Sequence, residues 1–358
     1  MAKVTPEETL AGSGNGRHPN ISSRNRTIET TKRVLSKSYL ALVLLAIIVV
    51  GFIASPNFIT PRNANNVITF SAITSVLAVG QFFVILTGGI DLSVGSVVAL
   101  STVVCSLLLK SGQPAVSAAL LALLVCAGVG FINGTMIVGL RIAPFIATLA
   151  TLSMAEGLSY IIQSTSLIQI TNNGFVNFFS AGNVAGLPNP DIIFLLVMFG
   201  AAFVSRYTTF GRGLYAIGGN SEAARLSGLP VSRHLLVTYT LSGALAGLAG
   251  LLAAAQLLEG SSLIGQGYEL DAIAAVVVGG ASLFGGKGDP ISAVIGGFII
   301  EIIINIMNLV GISSEPQLVI KGAVIVLAVF LSSAQGVTRI QTGLANLFGR
   351  RTREPLRQ

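Results

Sequence analysis

The chain has 358 residues, of which 52% are hydrophobic and only 10% are charged. Soluble domains carry about 25% charged residues, so this composition excludes an ordinary soluble protein and indicates one that crosses a membrane many times. The net charge of +7 does not indicate nucleic-acid binding, because the basic residues lie in tails and loops that flank apolar runs, as expected of cytoplasmic segments.

Ten apolar runs have lengths near or somewhat below the roughly 20 residues that a helix needs to cross a bilayer core. They are Tyr39–Ser55, Val67–Thr87, Leu92–Leu109, Pro114–Leu140, Ala143–Ile162, Ile192–Val204, Leu235–Leu258, Ala272–Phe284, Pro290–Val310 and Leu318–Leu331. The sixth, eighth and tenth runs are short enough to be interfacial or re-entrant instead. The predicted fold class is all-α, a polytopic transmembrane helical bundle of about ten spans.

The distribution of basic residues favours ten crossings with both termini in the cytoplasm. In that arrangement 18 of the 21 Lys and Arg residues lie on the cytoplasmic side, and omitting one short run would invert every later segment and remove this asymmetry. Only Arg62, Lys110 and Lys321 are then placed outside. The predicted organisation is a basic cytoplasmic tail over residues 1–38, a transmembrane domain over 39–335 and a second basic cytoplasmic tail over 336–358.

Some glycines recur at a spacing that favours close helix packing. Gly130 and Gly134 are spaced GxxxG, and Gly243 and Gly247 repeat that spacing. Helices in lipid have no hydrophobic drive toward each other, and small residues let their backbones approach closely. We therefore expect helix–helix contacts at both places.

Two glycine-rich breaks interrupt the apolar pattern, GGIDLSVG at residues 88–95 and GGASLFGGKGDP at residues 279–290. In the first break, Asp91 and Ser93 are predicted to cap the helix that begins with the Leu92 run, which would satisfy amides that lipid cannot. In transporters, segments interrupted by Gly or Pro mark the moving or binding region. Both breaks are therefore candidate functional segments.

Polar residues inside the predicted spans cost free energy in lipid, so they are expected to face the protein interior or a wet path. Four on the fifth run fall within about 80° of one another at 100° per residue, and three on the ninth form a second stripe. Interhelical hydrogen bonding would explain any single one, whereas two stripes favour a hydrophilic path for a polyhydroxylated solute. The first break and isolated polar residues on other runs add further candidates to the two stripes. The candidate path residues are Gln81, Asp91, Ser93, Asn133, Thr148, Glu156, Ser159, Gln163, Glu301, Asn305 and Asn308.

The longest polar passage between the tails is residues 206–234, which hold four arginines and follow the sixth predicted span. A Gly-Gly-Asn turn at residues 218–220 is expected to let the backbone fold sharply. A helix-forming run at residues 221–226 follows, with Ser221 as its predicted N-cap and Glu222 in its first turn. The passage is predicted to be a cytoplasmic loop that meets a soluble partner.

No motif indicates that this chain hydrolyses ATP or catalyses a reaction. Gly286-Lys287 resembles the end of the phosphate-binding pattern GxxxxGK[ST], but Ala281 stands at the first glycine and Gly288 stands where Ser or Thr must bind magnesium. The two histidines have no metal-ligand or nucleophile–base spacing, so no catalytic residue and no metal site are predicted.

Four stretches closely resemble the membrane permease subunit of ribose-type ABC sugar importers, the monosaccharide group that depends on a binding protein. They are SPNFITPRNANNV at 55–67, ILTGGIDLSVGSVVALS at 85–101, GRGLYAIGGNSEAARLSG at 211–228 and YELDAIAAVVVGGASLFGGKGDPISAVIGG at 268–297. The resemblance runs in order over roughly residues 39–335 and leaves out only the tails. It implies that this domain is the permease of an ATP-driven importer for ribose, xylose or a related sugar.

The resemblance also implies partners and a site. This chain would bind no cofactor, because ATP and magnesium belong to a partner ABC ATP-binding subunit. A periplasmic or extracellular sugar-binding protein, a second permease subunit and the lipid of the bacterial cytoplasmic (inner) membrane would complete the assembly, with no nucleic acid. The family's coupling loop matches residues 206–234, through Gly211, Arg212, Gly218, Gly219, Asn220, Glu222, Ala223, Arg225 and Gly228.

Two alternatives stay open at this point. Glu156 and Glu301 would serve as proton-relay carboxylates if the chain were a proton-coupled secondary sugar transporter that works without a partner. ABC permeases for branched-chain amino acids have similar glycine-rich breaks. The coupling loop is more similar to that of the sugar group, and the polar stripes favour a sugar over an aliphatic side chain.

Overall fold

The computed structural model describes residues 40–164 and 166–332, which are mostly helical; the two predicted tails lie outside the described residues. In chain order the helices are α1 (Leu40–Ala54), α2 (Pro61–Leu86), α3 (Val94–Lys110), α4 (Ala115–Gly139), α5 (Pro144–Gln163), α6 (Asn173–Val176), α7 (Asn189–Tyr207), α8 (Thr209–Gly219), α9 (Ser221–Leu226), α10 (Val231–Leu257), α11 (Tyr268–Val278), α12 (Pro290–Leu309) and α13 (Ser314–Ser332). A π-helical turn follows α6 at Asn177–Ala181. Two antiparallel strand pairs join β1 (Ile168–Gln169) to β4 (Glu259–Gly260), and β2 (Asn183–Val184) to β3 (Leu187–Pro188).

Each of the ten predicted apolar runs overlaps one of these helices. Within the described residues, six helices are long and apolar enough to cross a membrane: α2, α4, α5, α7, α10 and α12. The prediction of a helical membrane protein is confirmed. The sixth run, which looked short in sequence, is part of the 19-residue helix α7.

Helix α2 lies at the centre of the bundle. Every residue from Ser71 to Leu86 is buried, and the helix packs against α7, α10, α11 and α12. A helix that is apolar on all sides is stable when other helices surround it. In contrast, α4 and α5 turn apolar side chains such as Leu124 and Met154 outward, as expected for faces that meet lipid or another subunit.

The GxxxG glycines lie at the contact between α4 and α10. A Cβ on Gly130 would meet the backbone of Tyr239, and a Cβ on Gly243 would meet the carbonyl of Cys126. The backbones of the two helices are therefore in direct contact, and a methyl group at either glycine would push the helices apart. The packing prediction is confirmed.

The eighth predicted run, Ala272–Phe284, requires a correction. Helix α11 spans 11 residues, a length of about 16 Å at 1.5 Å per residue, which is about half of a bilayer core. It is preceded by a segment, residues 258–267, that runs beside α3. Gly260 packs against Thr102 and Ser106, and Gly265 packs against Gly95 at the other end of α3.

The segment lies along much of α3. From Ser106 to Gly95, helix α3 rises about 16 Å, and the segment follows this length before α11 begins. The segment's sequence, LEGSSLIGQG, is too polar to read as part of an apolar run, which is why hydropathy misplaced the helix. Half-helices that start within the bundle are a feature of transporters and place their ends near binding sites.

Candidate functional site

Asp91, in the first glycine-rich break, lies at the centre of a buried hydrogen-bond network. Its Oδ1 accepts from the backbone nitrogen (3.0 Å) and the hydroxyl (2.6 Å) of Ser93, and its Oδ2 accepts from the hydroxyl of Ser242 in α10 (2.9 Å). The side-chain amide of Gln81, oriented by its neighbours, donates to the carbonyl of Asp91 (3.1 Å) and accepts from its backbone nitrogen (3.3 Å). The break is thereby held to α2 and α10.

The network continues from Ser93 into α4 and α5. Asn133 donates to the Ser93 hydroxyl (2.9 Å) and accepts from the Thr151 hydroxyl (2.7 Å), while Thr148 donates to the carbonyl of Ile90 (3.3 Å). Five of the candidate path residues are thus brought together: Gln81, Asp91, Ser93, Asn133 and Thr148. Thr151 was not among the predicted path residues, although its i, i+3 spacing from Thr148 was a signal.

The predicted cap of α3 differs from the observed one. The helix begins at Val94 rather than with the Leu92 run, and Ser93 is the N-cap by position but makes no side-chain cap hydrogen bond. The reason is that its hydroxyl is used in the network, where it donates to Asp91 and accepts from Asn133.

A pocket of about 120 Å³ lies at the beginning of α11, between α3 and α5. Its polar lining is Ser96, Glu156, Ser262, Gln266 and Glu269. Of these, the sequence analysis named only Glu156. The others were missed because they lie in three different segments, and spacing along one helix does not relate them.

The other candidate residues of α5 lie near this pocket or turn away from it. The Gln163 side chain accepts from the backbone nitrogen of Ser262 at 2.5 Å, which fixes the loop that lines the pocket. The Ser159 hydroxyl is buried and donates to the carbonyl of Ala155 within its own helix (2.7 Å). The predicted stripe on α5 therefore serves two neighbouring sites.

The stripe on α12 makes hydrogen bonds to α2 and to the α12–α13 region. Thr74 donates to Glu301 (3.2 Å), Asn63 and Asn305 exchange a pair of hydrogen bonds (2.9 and 2.8 Å), and Gln317 donates to Asn308 (2.8 Å). None of these bonds reaches the Asp91 network. The two predicted stripes are thus separate clusters in the fold.

A buried ion pair holds α11 to α13. Lys321, which the sequence analysis placed outside, donates to Asp271 at 2.8 Å, and the two side chains are only 14% and 6% exposed. The pair fixes one side of α11, since Asp271 lies in the first turn of that helix.

Replacing Lys321 with Met is expected to destabilise the protein by about 3–5 kcal/mol, because Asp271 would remain buried without a counter-charge. The measurement is thermal unfolding of the detergent-solubilised protein. The double variant Lys321→Met/Asp271→Asn removes both charges and should recover most of the loss. An unchanged melting temperature for Lys321→Met would contradict this role of the ion pair.

The predicted coupling loop forms α8 and α9. Seven of its nine candidate residues are exposed: Arg212, Gly219, Asn220, Glu222, Ala223, Arg225 and Gly228. Glu222 and Arg225 form an exposed ion pair across one turn of α9. The hydrogen bond from the Arg225 guanidinium lowers the pKa of Glu222, so the pair is charged at neutral pH.

Two details of this loop were predicted wrongly. The N-cap of α9 is Asn220, whose side chain accepts from the backbone nitrogen of Ala223 (2.9 Å), and not Ser221. Gly218 and Gly219 end α8 as helical residues and do not form the predicted turn. The sharp change of direction occurs at Asn220, whose extended backbone separates the two helices.

Gly218 is needed for close contact. A Cβ at this position would meet the carbonyl of Leu86, at the end of α2, and the backbone nitrogen of Gly286, in the second break. Gly286 itself donates to Leu86 (2.9 Å). Three backbones therefore touch at Gly218, and no side chain is available to move aside.

Two side-chain contacts reinforce the attachment of the second break. Tyr215 of α8 donates to the carbonyl of Gly288 (2.9 Å), and Arg206 at the end of α7 pairs with Asp289 at 2.6 Å. The stretches 85–101, 211–228 and 268–297, far apart in sequence, thus meet at one end of the bundle. A displacement of α8 would be transmitted through this contact to the loop that joins α11 to α12.

Known proteins with similar sequences are transport permeases. A family model described as the permease component of branched-chain amino acid transport systems matches residues 63–329. The chain is 43% identical over 295 residues to the ribose import permease protein RbsC of Bacillus subtilis (strain 168), a match that covers 82% of this chain and 91% of that protein. No solved structure matches.

Two further relatives come from Escherichia coli (strain K12). The ribose import permease protein RbsC is 38% identical over 309 residues, covering 85% of this chain and 95% of that protein. The D-allose transport system permease protein AlsC is 39% identical over 296 residues, covering 82% and 90%. These matches confirm the resemblance to ribose-type sugar permeases. With the family model and the relatives aligned across nearly the whole helical bundle, the chain belongs to this family of membrane permease components.

Proposed function

We propose that the chain is the permease subunit of an ATP-driven ABC importer for a monosaccharide. The observation that carries this proposal is the alignment with relatives named for ribose, D-allose and galactose/methyl galactoside transport, at 37–43% identity over more than 80% of this chain. The family model is described for branched-chain amino acids, but the relatives named above are sugar permeases. A monosaccharide is therefore the favoured substrate class.

The proposed topology has ten crossings in the bacterial inner membrane, with both termini in the cytoplasm and the permease domain over residues 39–335. Supporting it, the discontinuous segment of residues 258–278 has the depth of one crossing, which preserves the parity that the basic residues require. The end of the bundle where α8, α9 and both breaks meet would then face the cytoplasm.

The proposed partners follow from this arrangement. An ATP-binding subunit, which holds ATP and magnesium, would receive the exposed helix α9. A sugar-binding protein would deliver the sugar at the opposite face, and a second permease subunit would complete the path. ATP-driven movement of the partner would displace α8 and, through the contact at Gly218, the loop that joins α11 to α12. This is alternating access between two states that the ligands favour differently.

Within this proposal the candidate path residues have two roles. Glu156 lines the pocket and Gln163 fixes its wall, so these two act nearest the solute. The Asp91 network and the stripe on α12 set the positions of the helices around it. The secondary-transport alternative, with Glu156 and Glu301 as proton relays, has no support from the relatives, whose names describe permease components.

The test is uptake by proteoliposomes that contain the chain with its ATP-binding subunit and its binding protein. The panel is labelled D-ribose, D-xylose, D-allose, D-galactose and L-leucine, with ATP supplied on the side of the ATP-binding subunit. We expect uptake of a sugar that requires ATP and persists when a protonophore is added. Uptake of leucine alone, or proton-driven uptake by the chain without partners, would overturn the proposal.

The exposed pair in α9 allows a prediction about coupling. Reversing one charge by Glu222→Lys is expected to leave the melting temperature unchanged, since exposed ion pairs contribute little to stability. Sugar uptake should fall about tenfold or more, because a misplaced charge at a docked interface weakens the complex strongly. The control is Glu315→Lys, which makes the same change at an exposed acid in the first turn of α13. Normal uptake by Glu222→Lys would contradict the coupling role.

A further inference from the structure

The pocket at the beginning of α11 combines groups that suit a neutral, hydroxyl-rich solute. Two carboxylates, Glu156 and Glu269, line it together with the amide of Gln266 and the hydroxyls of Ser96 and Ser262. Carboxylates accept hydrogen bonds from hydroxyl groups, and such charge-assisted bonds are stronger than those between neutral groups. The volume of the pocket, about 120 Å³, far exceeds the roughly 10–15 Å³ that one water requires.

Glycines create the room in this pocket. A Cβ on Gly95 would meet the carboxylate of Glu269 and the carbonyl of Gly265, so a side chain there would fill the space. Gly265 and Gly267, with φ of +96° and +81°, adopt the left-handed backbone that ends the segment beside α3 and starts α11. The pocket is therefore built into the backbone path of the half-helix.

Other ligand classes fit the pocket less well. No Lys or Arg lines it, so an anion or the carboxylate of an amino acid would face Glu156 and Glu269 without a counter-charge. Within the described residues no group of three His, Cys, Asp or Glu side chains is placed to hold a metal ion. A neutral polyol satisfies the acceptors without introducing a charge.

Helix α11 connects the pocket to the region around α8, the helix that the ATP-binding subunit is proposed to displace. Helix α11 runs from the pocket to the second break, which is attached to α8 through Gly218, Tyr215 and Arg206. A movement of α8 would therefore act on the C-terminal end of α11, the helix whose first turn carries Glu269.

We propose that this pocket binds the transported monosaccharide during its passage through the subunit, with Glu156 and Glu269 accepting hydrogen bonds from the sugar hydroxyls. The inference rests on the proposed function, because it names where the substrate of that function is held. Glu269 becomes a substrate-contacting residue that lies outside the predicted polar stripes.

The first experiment measures uptake by the full transporter in proteoliposomes, using labelled D-ribose or whichever sugar of the panel the wild type transports. Glu156→Gln and Glu269→Gln are each expected to reduce sugar uptake about tenfold, because each loses a charge-assisted acceptor. ATP hydrolysis stimulated by the loaded binding protein should persist, since it depends on docking at the two faces of the bundle. Glu315→Gln is the matched control and should transport normally.

The second experiment reports on the pocket directly. Gln266→Cys, at an exposed position in the pocket wall, is labelled with a charged, water-soluble methanethiosulfonate. Loaded binding protein with ATP is expected to slow this labelling severalfold. Glu259→Cys lies earlier in the same connection and outside the pocket, so its labelling rate should not change. The native thiols, Cys105 and Cys126, are buried and do not compete.

The outcomes separate this inference from the proposed function. The pocket assignment is overturned if the wild type transports sugar and both Gln variants transport it normally. It is also overturned if the wild type transports sugar and sugar does not alter the labelling rate of Gln266→Cys. The proposed function stands in both cases. Loss of both uptake and stimulated ATP hydrolysis, with no protection of Gln266→Cys, also overturns the pocket assignment, since a structural defect then explains the loss. No sugar uptake by the wild type would overturn both.

Discussion

Replacing Gly218 with Ala is expected to lower ATP-dependent uptake about tenfold or more and to reduce the free energy of unfolding by about 1–3 kcal/mol. The added methyl group would meet the Leu86 carbonyl and the Gly286 backbone nitrogen. Both obstacles are backbone atoms, so the crowding can be relieved only by separating α8 from α2 and from the second break. In the proposed mechanism, that separation would interrupt the route by which α8 acts on α11.

Gly200→Ala is the matched control for this prediction. Gly200 lies within α7, and a Cβ there meets no atom within 4 Å. Alanine favours a helix over glycine, so this variant should be as stable as the wild type or slightly more so. Uptake and thermal unfolding are measured for both variants. Equal uptake by Gly218→Ala and the wild type would show that the close contact does not carry coupling.

Replacing Asp91 with Ala is expected to destabilise the protein by about 1–3 kcal/mol for each buried donor that loses its acceptor. The carboxylate accepts three hydrogen bonds, from the nitrogen and hydroxyl of Ser93 and from the hydroxyl of Ser242. Without it these buried donors lose their acceptor, and the break is no longer held to α10. The amount of protein in the membrane and its melting temperature in detergent should both fall.

Two comparison variants define the cause of that loss. Asp91→Asn keeps one oxygen for Ser93, and the hydroxyl of Ser242 can rotate to accept from the new amide, so the loss should be smaller. Glu315→Ala removes an exposed acid and should leave stability unchanged. If Asp91→Ala melted at the same temperature as the wild type, Asp91 would not be the centre of the network.

Several features of the fold could be predicted from the sequence because lipid leaves the backbone few choices. Apolar runs had to become helices, since unpaired backbone groups are costly in hydrocarbon. The glycines of α4 and α10 indicated a close contact for a similar reason, as only small residues let two backbones touch. The polar stripe on α5 followed from helical periodicity, and Glu156 and Gln163 do lie at or beside the pocket.

The errors share a physical cause. Gly218 was interpreted as a turn, but its role is to leave space for neighbours that are distant in sequence. The ion pair between Lys321 and Asp271 was not predicted, because the two residues lie on different helices. The run Ala272–Phe284 was counted among the ten candidate spans, but α11 has only 11 residues and follows polar residues that lie beside α3. In each case a tertiary partner decided the role of the residue.

The sequence by itself determined a helical membrane protein of the sugar-permease type, the order of its helices and the segments that are candidates for function. Those properties depend on composition and on spacing along one chain segment, which a sequence states directly. Only the tertiary structure decided that the two breaks and α8 meet at Gly218, and that Glu156 and Glu269 share one pocket. Periodicity tells which residues share a face of a helix, whereas packing of the whole bundle determines which faces meet.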